Sequence, residues 1–134
     1  MNAPYLLDVN ALVGLLWDVH ALHARAHSWF ARESPLVLGC AFTELSFVRV
    51  SMADRTIAAG FEDALDALGN FTVALGRRYR FLDTLPPASV LRGQSLVSHK
   101  QVSDAYLCEL AAAHGARLAT LDAGIKHPKV VLIA

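Results

Sequence analysis

The 134-residue sequence contains only two cysteines, Cys40 and Cys108, far apart in the chain. Two cysteines make no disulfide framework, and without a close pair there is no zinc or thiol-redox motif, so both are expected to be buried thiols. No apolar run reaches the roughly 18 residues that a membrane span needs. Met1 to Pro4 lacks a basic region followed by an apolar stretch and a cleavage site, so no secretory signal is visible and a cytoplasmic location is expected. Net charge is missing too: Lys plus Arg and Asp plus Glu both number 12. That excludes a general attraction to nucleic acid and leaves any such partner to a local basic patch. There is no Gly-rich phosphate loop ahead of a lysine and no dinucleotide fingerprint, which disfavours nucleotide-dependent chemistry. No repeat, low-complexity tract or linker divides the chain, and its length suits one domain, 1–134.

What the sequence does have is apolar residues. They make up 54% of the chain, and the mean hydropathy is positive. With no membrane span to absorb it, this surplus predicts an apolar surface covered by another subunit or a partner protein.

The apolar runs alternate in type. Tyr5 to Leu7 reads as a buried parallel strand ending at Asp8. A helix follows from Asp8 and Asn10 through Trp17, and a second spans about Ala21 to Arg32 before Ser34-Pro35. Leu36 to Leu38 reads as a strand broken by Gly39, and Phe42, Leu45, Phe47, Val48 and Val50 then repeat with helical spacing. Thr56 to Leu68 predicts a helix closed by Gly69-Asn70, with a strand over Thr72 to Leu75. The basic stretch Gly76 to Gln94 reads as loop with short structured pieces. Val102 to His114 is apolar nearly all round and predicts a buried helix. Arg117 to Leu121 and Val130 to Ile133 read as strands separated by a helical turn over Ala123 to Lys126. Alternating strands and helices imply an α/β fold, a parallel sheet with helices on both faces.

Asp8, Glu44, Asp104 and Asp122 each stand where an apolar run meets a turn or a helix start. In a parallel sheet such positions share the carboxyl edge, so the four can line one crevice. Singly, each has an ordinary structural reading as a helix cap, a first-turn acid or a turn residue. Together they fit that reading less well, because Glu44 shares a helical face with Phe47 and Val48, and Asp104 shares one with Leu107, Cys108 and Ala111. Clustered carboxylates repel one another unless a cation lies among them, and oxygen-only ligands select hard divalent ions. His20, His23 and His27 are spaced to share a helix face, but nothing nearby completes a tetrahedral zinc set. Arg77, Arg78 and Arg80 with Tyr79 could grip phosphates and stack a base of a single strand, or form a solvated loop; spacing alone leaves both readings open.

The blocks Leu7-Asp8-Val9-Asn10, Thr43-Glu44 with Phe47-Val48-Arg49, Val102-Ser103-Asp104-Ala105-Tyr106 and Leu118-Ala119-Thr120-Leu121-Asp122 occur in the order and approximate spacing of the PIN domain. Over nearly its whole length the chain resembles the VapC-type toxins of bacterial toxin–antitoxin pairs. Ser103 stands where Thr is frequent in such toxins and Leu121 where Phe is frequent; neither difference touches a carboxylate. The resemblance implies a PIN-like α/β/α sandwich and an endoribonuclease dependent on Mg²⁺ or Mn²⁺. By the same resemblance Asp8, Glu44 and Asp104 are the core metal ligands, and Asp122 is a fourth that acts through water. Asn10, Thr43 and Ser103 would support them. It also implies a homodimer and a VapB-type antitoxin whose C-terminal segment lies across the active groove. Two rivals share the fold: a housekeeping RNA-processing nuclease and a binding module without catalysis.

Overall fold

The computed structural model describes residues 3–134. Five strands, β1 (Pro4–Leu7), β2 (Leu36–Cys40), β3 (Tyr79–Leu82), β4 (Arg117–Thr120) and β5 (Val130–Leu132), form one sheet in the order β3-β2-β1-β4-β5. Every neighbouring pair is parallel. The helices are α1 (Val9–Leu16), α2 (His23–Glu33), α3 (Ala41–Ala53), α4 (Phe61–Leu75) and α5 (His99–Ala113).

Strand residues alternate between two apolar layers, as the period of two requires. Tyr5, Leu7, Val37 and Ala119 face one layer, which is filled by Leu12 and Val13 of α1, Trp29 of α2, Phe47 and Val48 of α3, and Ala64 and Leu68 of α4. Leu6, Leu38, Cys40 and Leu118 face the other, filled by Leu107, Leu110 and Ala111 of α5. With both faces covered, the central strands are apolar on both sides, as expected for a buried parallel sheet. Both cysteines are free and buried. Among the described residues no helix is long and apolar enough to cross a membrane.

Four sequence expectations differ from the structure. Gly39 does not break β2; it lies within the strand. A Cβ there would collide with the Tyr79 ring, so glycine lets that side chain cross the sheet. Gly69-Asn70 does not end a helix. α4 starts later than expected, at Phe61, and runs through to Leu75, so the strand over Thr72 to Leu75 is absent. A glycine inside a helix costs about 1 kcal/mol, which the burial of Leu68 and Leu75 and the packing of Phe71 on Phe30 offset. The helix stops instead at Gly76, whose φ of +57° suits glycine. The basic stretch, read as loop with short structured pieces, contributes the edge strand β3. Its exposed Arg80 and Phe81 hid the strand from a pattern built on buried residues. Residues 123–126 hold a turn at Ala123-Gly124 rather than a helical turn.

Candidate active site

The site lies at the carboxyl edge of the sheet, where the strand order reverses. β1 pairs with β2 on one side and β4 on the other, so the connections leave β1 in opposite directions and a crevice opens beyond its end. Asp8 is the first residue past β1 and the N-cap of α1, its Oδ1 accepting the Val9 amide at 2.8 Å. It is only 7% exposed. Its other oxygen, Oδ2, accepts from the Thr120 hydroxyl at 2.7 Å. Burial raises the Asp8 carboxyl above the ordinary 3.8; the bonds from Thr120 and Val9 pull it back, and the charge of Asp104 pushes it further up.

Thr120, fully buried at the end of β4, is the hub of this edge. Besides donating to Asp8, its Oγ1 accepts from the Asp122 amide at 3.0 Å and from Asn10 Nδ2 at 3.2 Å. Asn10 Oδ1 accepts the Leu121 amide at 3.0 Å. One network thus ties the end of β1, the start of α1 and the turn after β4, with Asn10 within it. Asp122 Oδ1 caps its own turn by accepting the Gly124 amide at 2.7 Å.

Asp104 comes from α5, which leads into β4 and so begins at the carboxyl edge. It lines one groove of about 290 Å³ with Asp8, Asn10, Val50, His20, Asp54 and Lys100. A neighbouring groove is lined by Asp8, Asp104, Ser103, Phe42, Ser46 and Arg49. The Lys100 ammonium lies 3.2 Å from Asp104 Oδ2 and also contacts Asp122 Oδ2. These bonds raise the Lys100 ammonium, and the same contact with Lys100 lowers the Asp122 carboxyl. On the far side of Asp104, Gln94, Ser95, Lys126 and His127 surround a third hollow that reaches Cys108, whose thiol burial pushes up to about 12.

The structure therefore brings together Asp8, Asp104, Asp122, Asn10 and Ser103. It does not bring Glu44 or Thr43 with them. On α3, Phe42, Ser46, Arg49 and Val50 face the acidic groove, whereas Ala41, Glu44, Leu45 and Val48 face Leu65, Leu68 and Phe81. The Glu44 carboxylate accepts a 2.7 Å bond from the Tyr79 hydroxyl, which with burial raises the Tyr79 phenol. Thr43 is buried, and its hydroxyl turns back to the amide and carbonyl of Cys40 to cap α3. The arginine run does not line the acidic grooves either. Arg77 and Arg78 precede β3, at the opposite edge of a parallel sheet. Arg78 donates to the Pro35 carbonyl and covers the Phe30 ring at 5.7 Å. Arg80 sits within β3. The cations that face the acids are Arg49, Lys100 and Lys126. The histidines form no zinc set: His20 Nδ1 accepts the Leu22 amide, and His23 Nδ1 bonds to the Gly14 carbonyl. Sequence reasoning missed Thr120, Ser46 and Asp54. Thr120 alone left a signal, standing two residues before Asp122.

Among the described residues no three His, Cys, Asp or Glu side chains stand close enough to hold an ion as they are. The donor chemistry nevertheless fits a hard cation. Asp8, Asp104 and Asp122 offer only oxygen ligands, and a positive group, the Lys100 ammonium, already bridges two of them.

No protein-family model matches the chain. Among curated proteins it is similar to three ribonucleases of Mycobacterium tuberculosis. VapC38 is 41% identical over 124 residues, 90% of this chain and 86% of that protein. VapC44 is 36% identical over 125 residues, 90% and 87% of the two. VapC29 is 33% identical over 122 residues, 91% and 88%. Among solved structures, M. tuberculosis VapC20, described as a sarcin-ricin loop cleaving toxin, matches with a TM-score of 0.61 and 14% identity, over 85% of this chain and 86% of that one. The structural likeness carries the fold, a PIN-like α/β/α sandwich, and the curated relatives carry the rest: the chain belongs to the VapC-type PIN toxins, a family of ribonucleases.

Proposed function

We propose that the chain is a divalent-metal-dependent endoribonuclease whose reacting site is the groove between Asp8 and Asp104, with Asp122 at its rim. The observation that carries this reading is the network in which buried Thr120 fixes Asp8, Asn10 and the Asp122 backbone at once. A capping aspartate needs no such support, whereas a reacting carboxylate held by second-shell bonds gains a fixed geometry. Asp8, Asp104 and Asp122 would hold Mg²⁺ or Mn²⁺, which when bound supplies positive charge against the phosphate and lowers the pKa of the attacking water.

The chain's own residues do the remainder. Arg49, Lys100 and Lys126 draw the RNA backbone to an acidic groove on a molecule without net charge. Asp8 would offer its carboxylate to the cation, and the bonds from the Val9 amide and the Thr120 hydroxyl keep its oxygens aimed into the groove. No side chain acts as nucleophile. Glu44 has a structural part, fixing Tyr79 and through it the edge strand.

The partner is a VapB-type antitoxin, and the apolar surplus is covered by self-association. The exposed strip of Leu45, Phe61, Leu65 and Phe81 on α3, α4 and β3 is the dimer surface. Leu22 and Phe30 pack against the inner layer and do not add to it. Incubation with total cellular RNA and Mg²⁺, followed by mapping of the new ends, tests the activity. Discrete cuts that vanish in chelator are expected, and unchanged RNA at micromolar protein would overturn it.

A further inference from the structure

We propose that Lys100 is a built-in counter-ion that competes with the divalent cation for Asp104 and Asp122, holding the site closed until the cation displaces it. This rests on the proposed metal role of those two acids. Its geometric basis is independent of that role.

Asp104 belongs to α5 and Asp122 to the turn after β4, yet a single ammonium touches both. Lys100 is one turn before Asp104, at the i,i+4 spacing that puts both on one helix face. Its side chain is 61% exposed, whereas those of Asp104 and Asp122 are 20% and 28% exposed. The lysine thus reaches inward from solvent onto two sheltered acids. An ordinary surface ion pair contributes little. This one differs because it joins two elements and because its stem lines the same groove as Asp8. It also accounts for a group of acids that gathers at one edge but, as it stands, forms no cage. A divalent ion ligated by Asp104 and Asp122 would repel an ammonium a few ångströms away. Binding the ion therefore requires Lys100 to leave, and the long stem lets it swing to the groove mouth, where RNA phosphate passes.

The test is calorimetric titration of Mn²⁺ into the chelator-treated full chain, comparing wild type, Lys100→Gln, Lys100→Arg and Asp104→Asn. Lys100→Gln removes the competitor and should bind Mn²⁺ on the order of tenfold more tightly, about 1.4 kcal/mol, with a lower melting temperature before metal is added. Lys100→Arg keeps the charge and should bind no more tightly than wild type. Asp104→Asn should lose binding. If Lys100→Gln matches wild type within twofold while Asp104→Asn loses binding, Lys100 is a bystander and the metal site stands. If wild type takes up no Mn²⁺, the metal site and the counter-ion fall together.

A second readout needs no destabilised variant. The chain has three lysines, Lys100, Lys126 and Lys129, so ¹³C-dimethylated protein gives few signals, and Lys100→Arg identifies one of them. That resonance should move on Mg²⁺ addition, saturating together with the thermal stabilisation by Mg²⁺. A Lys100 signal that stays still while Mg²⁺ raises the melting temperature would overturn the proposal.

Discussion

Replacing Thr120 by Val keeps the buried shape and removes the hydroxyl on which the site converges. Three groups lose a partner: Asp8 Oδ2, the Asp122 amide and Asn10 Nδ2. Asn10 and Asp122 lie at the rim and can recover water; Asp8 is 7% exposed and recovers little. A buried group left without its hydrogen bond costs about 1–3 kcal/mol, more when it is charged, so the total should be about 3 kcal/mol. Thr120→Ser retains the hydroxyl and loses one buried methyl, which costs about 1 kcal/mol. Urea unfolding of both variants at neutral pH, in chelator, separates the two contributions. The valine variant should also show slower cleavage with little change in KM, because the lost bond positions a reacting carboxylate and does not bind RNA. A valine variant within about 0.5 kcal/mol of wild type, or no less stable than the serine variant, would refute the hub.

Stability in chelator should depend on pH with opposite signs at Asp8 and Asp122. Asp8, raised in the folded state above 3.8, holds its proton more tightly than the unfolded chain does, so its contribution falls as pH rises above 3.8; urea midpoints of Asp8→Asn should gain on wild type from about pH 4 to 7. Asp122, lowered below 3.8 by Lys100 and the Gly124 amide, contributes above that value and is lost as pH falls beneath it, so Asp122→Asn should lose its disadvantage in acid. Glu44→Gln should cleave RNA at a rate far nearer wild type than Asp104→Asn does, and Tyr79→Phe should cost about 1 kcal/mol of stability through the lost bond to Glu44; a Glu44→Gln variant as inactive as Asp104→Asn in single-turnover cleavage would return Glu44 to the site. Arg49→Ala with Lys126→Ala should reduce the slope of log affinity for short single-stranded RNA against log salt by about 1.4, at about 0.7 per phosphate contact. Arg77→Ala with Arg80→Ala should change it little, as read by fluorescence anisotropy in chelator.

The layers and the carboxyl edge were legible because they follow from pattern. Leu6-Leu7, Val37-Leu38 and Leu118-Ala119 are apolar on both faces of their strands, which only a buried parallel sheet explains, and strand ends followed by Asp8 and Asp122 marked the crevice. Edge strand β3 was illegible because half of it is exposed and its arginines looked like loop. α4 was misjudged because Gly69-Asn70 is a local stop signal that tertiary packing overrode. Glu44 is subtler: sharing a face with Val48 pointed to a partner for its charge, and it has one, but that partner is the Tyr79 hydroxyl reaching across Gly39. Lone acids on a helix do not declare which neighbour they will meet. Thr120 could not be ranked from sequence, since a threonine ending a strand is ordinary until three partners converge on its hydroxyl.

The most direct test of the acidic groove as the reacting site is single-turnover cleavage of an end-labelled RNA by Asp8→Asn, with the fold monitored by melting in chelator. The substitution removes a buried charge whose ionised form the fold disfavours while leaving shape and the Val9 cap largely in place. Cleavage more than about 100-fold slower than wild type, at an equal or higher melting temperature, is the predicted result. An Asp8→Asn protein that cuts within twofold of the wild-type rate would place the chemistry elsewhere.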